Sequence, residues 1–179
     1  MNRRAFLASG AITVGTTLAG CLSSAERGHY DVAMVSDAFV PQTSIDVPAS
    51  APDWVPRDVP TLEVSVGDPV VWLNTGSRNH TVTAATREHH KVEELLGSAS
   101  KSDDEANPRL PPGGQFFASG GFSDEVTAAR SFIHELNGGG VVPPGNRYVH
   151  TFQNPGWFHY YCIPHEPAGM MGNVHVVSP

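Results

Sequence analysis

The chain has 179 residues, with 11 Lys plus Arg against 18 Asp plus Glu and a formal net charge of −7. That length fits one domain with its own core and excludes a large multidomain enzyme. An acidic chain with no basic run has nothing to follow a phosphate backbone, so nucleic acid is not an expected partner. The two cysteines, Cys21 and Cys162, lie in such different surroundings that each is read separately rather than as a disulfide.

Residues 1–20 read as an export leader: Arg3 and Arg4, then Ala5, Phe6 and Leu7, then an apolar and small-residue stretch. The arginine pair resembles the twin-arginine signal, whose route moves folded proteins, often with cofactors in place. Leu18-Ala19-Gly20-Cys21 resembles a lipobox, in which cleavage before the cysteine frees a thiol for lipid. Cys21 is therefore the expected lipid attachment site, on the outer face of the cytoplasmic membrane, and the leader is not a permanent span. The alternative is an ordinary cleaved signal with an incidental cysteine. Losing the leader removes two arginines and no acid, so the mature chain becomes more acidic still.

Residues 21–28 read as a lipidated tether, small and polar, and the domain is expected over 29–179. Short apolar runs separated by turn residues predict strands over Tyr30–Val35, Ser44–Val47, Thr61–Val66, Val70–Leu73 and His80–Ala84. In the third of these Leu62, Val64 and Val66 alternate with polar neighbours, the period of a sheet with one buried face. The proline-rich stretch from Pro48 to Pro60 lacks backbone donors and reads as a surface loop. Residues 86–140 are polar and glycine-rich and read as a partly helical insertion. One helix is expected after Ser123 as its cap, with Val126, Ala129, Ile133 and Leu136 on one face, and a weaker one over Thr86–Leu96. Tyr148–Phe152, Trp157–Cys162 and Asn173–Val177 return to the strand pattern. Many short strands with Gly and Pro turns, without alternating helices, predict an all-β, antiparallel Greek-key sandwich.

Most of the chemistry sits in residues 160–172, a loop between two expected strands that holds Cys162, His165 and Met170. A copper ion cycling between two oxidation states suits two imidazoles and a thiolate with a weak thioether. Three of those groups are here, and the spacing lets the cysteine and histidine turn inward while Pro167 and Gly169 bring Met170 back beneath them. The fourth must come from elsewhere, and His80, at the start of a strand whose end a Greek key can bring close, is the natural candidate. Met171 competes with Met170 and reads as packing, and Thr81 is placed to hydrogen-bond the centre. A second metal site from His89, His90 and Glu93 is disfavoured because adjacent histidines point apart. His29, His134, His150, His159 and His175 receive no role, although alternation places His159 and Tyr161 on one strand face.

The ligand loop resembles that of the cupredoxins, in the plastocyanin, auracyanin and halocyanin branch, which shares its Cys-x-x-His-x-x-x-x-Met spacing. The resemblance extends to Phe39-x-Pro41, Val66-Gly67-Asp68, Val71-Trp72-x-Asn74, His80-Thr81-Val82 and the residues from His150 onward, and fails over 86–140. With the leader and acidic balance, the chain looks most like lipid-anchored halocyanin-like proteins. The resemblance implies one type 1 copper ion held by His80, Cys162, His165 and Met170, and a carrier of single electrons between redox proteins at a membrane. It implies no small-molecule substrate, and His165 as the ligand that reaches the surface. Met170 takes preference over Met171 partly on the same ground. A copper enzyme would need further histidine ligands beside the cysteine, where Tyr161 and Ile163 stand, and a two-copper centre would need a second cysteine. An exported copper chaperone or store is the alternative function.

Overall fold

The computed structural model describes residues 29–88, 92–98, 109–135 and 138–178. The leader, Cys21, His89, His90 and Leu136 lie outside them. The strands are β1 (Val32–Val35), β2 (Ala38–Pro41), β3 (Thr61–Ser65), β4 (Pro69–Asn74), β5 (Thr83–Ala84), β6 (Arg147–Thr151), β7 (Gly156–Tyr161) and β8 (Met171–Val177). Two helices, α1 (Val92–Ser98) and α2 (Glu125–His134), and a 3-10 turn over Ile163–Ala168 complete the chain.

The strands form two four-stranded sheets, in the orders β2-β1-β4-β6 and β3-β8-β7-β5. Alternation drives this arrangement: Val70 and Trp72 of β4 point inward and are buried while Val71 and Leu73 between them are part-exposed. The core between the sheets joins Val32, Met34, Phe39 and Trp72 to Leu62, Phe158, Tyr160 and Val174. Its centre is aromatic, with Tyr160 edge-on to Trp72 at 5.5 Å and to Phe39 at 4.7 Å. The expected sandwich is present, but its sheets are mixed: β1 runs parallel to β4 and β3 parallel to β8, while the other ladders are antiparallel.

Two expected strands are reduced. Ser44–Val47 is not a strand; Ile45 makes one backbone bond to Thr61 at 2.9 Å, and Ile45 and Val47 pack on the small cluster of Ala51, Val55 and Trp157 beneath the proline-rich loop. The His80–Ala84 strand shrinks to Thr83–Ala84, because His80 pairs with Val142 of a different segment in an isolated bridge.

The insertion is built into the sandwich. Ala84 N donates to Phe117 O, Ser119 N donates to Val82 O, and Thr83 bridges Ala118, so residues 117–119 extend the sheet beside β5. Leu95 of α1 and Val126, Ala128 and Ala129 of α2 pack with Tyr161 and Ile163 in a second core. The helix cap is Asp124, whose carboxylate accepts from Thr127 N at 2.8 Å; Ser123, the expected cap, donates to Asp124 instead. Ile133 is exposed, and the buried helix residues are Glu125, Val126, Ala128 and Ala129. The second helix begins at Val92, later than Thr86.

Candidate metal centre

The 160–172 loop is shaped by its own backbone. Pro164 opens the 3-10 turn after Cys162, and His165 N donates to Cys162 O at 3.0 Å. Gly169 ends the turn with φ of 84°, a left-handed conformation that glycine adopts without a side-chain clash, and its N–H reaches Glu166 O. Cys162 N then donates to Met170 O at 3.0 Å and Met170 N to His165 O at 3.1 Å. These bonds hold Cys162, His165 and Met170 together with only backbone contacts.

His80 arrives from the other sheet. Asn74 at the end of β4 uses its amide to donate to Arg78 O at 2.7 Å and Val142 O at 2.8 Å, which closes the loop leading to His80. His80 N donates to Val142 O and accepts from Val142 N through its own carbonyl. Its ring is fully buried, and Nε2 has no hydrogen-bond partner among the described residues, so packing and this backbone bridge orient it.

The side chains converge. Cys162 Sγ lies 3.3 Å from His165 Nδ1 and 3.7 Å from His80 Nδ1, and the three ligand atoms all fall within 4.8 Å of one another. Thr81 N–H points at the sulfur at 3.3 Å, while Thr81 Oγ1 accepts from Ile163 N, so Thr81 fastens both histidine-bearing and cysteine-bearing segments. Met170 is fully buried beside Cys162 in the core, whereas Met171 starts β8 opposite Tyr161 and packs on the second core.

Burial, with smaller effects from His165 and Arg78 outweighing an opposing one from Asp37, pulls His80 down from 6.5 to about 4. Burial also lowers His165. Both rings are thus neutral near pH 7, the state in which an imidazole nitrogen can bind metal. Burial pushes the Cys162 thiol up to about 11 against the opposing hydrogen bond from Thr81, so the thiolate needs a metal beside it. A set of two nitrogens and one sulfur, with no carboxylate among them, suits copper and does not suit magnesium or calcium.

The copper-binding family described as plastocyanin/azurin matches over residues 58–177, more than half of the chain. The chain belongs to the plastocyanin/azurin family of copper-binding proteins. Copper is accordingly the cofactor of this cupredoxin, and the buried His-Cys-His cluster with Met170 beside it is where the residues fit it. The plastocyanin of Prochlorothrix hollandica is 38% identical over 53 residues, which is 30% of this chain and 40% of that protein, so the match spans less than half of the relative's length. Among solved structures, auracyanin from Roseiflexus castenholzii is 14% identical with a TM-score of 0.40, covering 82% of this chain and 94% of that one. A copper-containing nitrite reductase from Thermus scotoductus is 18% identical with a TM-score of 0.44, over 84% of this chain and 22% of the enzyme.

Two features of this cupredoxin were not read from the sequence. Glu166, next to His165 in sequence, is buried, and the charges exposed there are Asp37, 3.8 Å from His165 Nε2, and Arg78, which pairs with Asp37 at 2.6 Å. Ser119 is the other: its hydroxyl accepts from Val82 N at 3.0 Å and donates to Gly140 O at 2.5 Å, tying the insertion to the segment that carries His80. Neither had a sequence signal beyond residue type, since Asp37 meets Arg78 across 41 residues and Ser119 meets Val82 and Gly140 across 37 and 21. His159 and Tyr161 do share a face, and they line one cavity with Glu166 and Arg109.

Proposed function

We propose that this protein is an exported, lipid-anchored carrier of single electrons and not an enzyme, with its copper held by His80, Cys162, His165 and Met170. The observation that carries the reading is the burial pattern of the converging groups: His80, Cys162 and Met170 are fully buried, while the His165 side chain keeps 15% of its surface. Bound copper supplies the change between Cu(II) and Cu(I). The chain does the rest: a ligand set held by the backbone bonds of the 160–172 loop and by the His80–Val142 bridge changes little between redox states, which keeps reorganisation small. His165 is the way in and out, because it alone of the four reaches the surface, and Pro167, Ala168 and Gly169 beside it are exposed and uncharged. A redox protein partner can press against them transiently without stripping water from many charges.

Burial of three ligands also speaks against the copper chaperone or store, which needs exchangeable ligands. For an enzyme of the nitrite-reductase class a further copper set is required, and among the described residues His80, Cys162 and His165 form the only such group. The protein loaded with Cu(II) should be intensely coloured by thiolate-to-copper charge transfer, and Cys162→Ser should abolish the colour. Met170→Leu should retain it and raise the reduction potential, while Met171→Leu should leave the potential alone. A colourless copper-loaded wild type would overturn the reading. Ala168→Lys should slow electron exchange with a neutral partner in stopped flow, since it sets a charge on the contact surface.

A further inference from the structure

The β1–β2 hairpin turns through Ser36 and Asp37, with Val35 paired to Ala38. Ser36 has φ of 53°, the only non-glycine residue among those described with a positive φ, in a turn where asparagine or glycine would cost less. The loop leading to His80 is docked on the same turn: Thr75 N and Gly76 N both donate to Met34 O, and Asn74 holds the Arg78 carbonyl. A side chain on Gly76 would meet Met34 O and Ser36 N at 3.3 Å, so the two loops are in close contact. Their product is a carboxylate fixed over the exposed edge of His165, with Asp37 Oδ1 3.8 Å from His165 Nε2 and 2.6 Å from the Arg78 guanidinium.

We infer that Asp37, braced by Arg78, is a positioning residue for the exposed ligand: it orients the His165 ring through Nε2 and, with Arg78, sets the local field that the metal experiences. At 3.8 Å the carboxylate is beyond hydrogen-bond reach of Nε2 and acts on the ring's N–H dipole through its charge. The inference rests on the copper reading only for the second of these effects. The two charges are of opposite sign, so they bias the charge of a bound metal in opposite directions. Such exposed groups are screened by salt, so their effect is largest at low ionic strength.

Two measurements test this. In the copper-free protein, carbon relaxation at His165 Cε1 should report a more mobile ring in Asp37→Ala than in wild type; equal mobility would overturn the positioning role whether or not the protein carries copper. In the copper-loaded protein at low salt, Asp37→Asn should raise the reduction potential, because it removes a negative charge that favours Cu(II). Arg78→Gln should lower it by removing the opposing positive charge, and added salt should shrink both shifts. Shifts of the same sign in both variants would mean simple disruption of the loops and would overturn the electrostatic role, as would no shift in either. A wild type that binds no copper would sink the electron-carrier reading, and the ring comparison would still decide the assignment of Asp37.

Discussion

Cys162 and His80 pull the metal-free protein's stability in opposite directions along the pH scale. The Cys162 thiol rises to about 11 from 9.0, so above pH 9 the unfolded chain ionises first and stability falls as pH climbs toward 11. His80 drops to about 4 from 6.5, so below pH 6.5 the unfolded chain binds the proton first and stability falls as pH drops toward 4. Lowered His165 and His150 add to the acid side. The copper-free protein should therefore have a plateau of melting temperature between about pH 6.5 and 9, with loss on both sides, in thermal scans at pH 5, 7.5 and 10. The same burial means that metal uptake at pH 7 displaces the Cys162 proton. Titration with metal in weak buffer should show release of about one proton, and Cys162→Ser should not show it.

Between the insertion and the sandwich, the segment carrying His80 has only two residues in a named strand, and Ser119, Val142 and Asn74 supply what a longer ladder would. Ser119→Ala leaves Val82 N and Gly140 O without their partner and should cost about 1–2 kcal/mol in urea unfolding, with weaker copper retention against a chelator. Gly140 cannot take a side chain here, since a Cβ would sit 2.3 Å from Ser119 O. This is also where the sequence was least informative. Thr61–Ser65 announced itself by alternating polarity, whereas Pro69–Asn74 and Gly156–Tyr161 did so as short apolar runs bounded by turn residues. The ligand loop was legible because its spacing is local. His80–Thr81–Val82 was read as strand on the same grounds, but the partner of His80 is the loop residue Val142, 62 positions on, a choice made by tertiary contact. The mixed sheets escaped notice likewise, since pairing direction leaves no mark on alternation.

The sandwich accounts for the site, and the export leader expected from residues 1–20 is the ground on which we propose its location. If Cys21 carries lipid, Cys21→Ala should move the protein from washed membranes into the soluble exported fraction, because no helix among the described residues is long and apolar enough to cross a membrane. If the twin-arginine route is used, lysine at both Arg3 and Arg4 should leave the precursor in the cytoplasm. The parallel pairing of β8 with β3, and its antiparallel pairing with β7, bear on when the centre can exist at all. β8 is the last strand among the described residues, yet it lies inside its sheet and follows directly on Met170, so the second sheet has no middle until that strand has been made. His80 precedes Met170 by ninety residues, so it cannot meet its partners until that later stretch has been made. The centre can thus close only once the chain has been made past Met170, and the compartment in which it first closes is the compartment whose metal supply it samples.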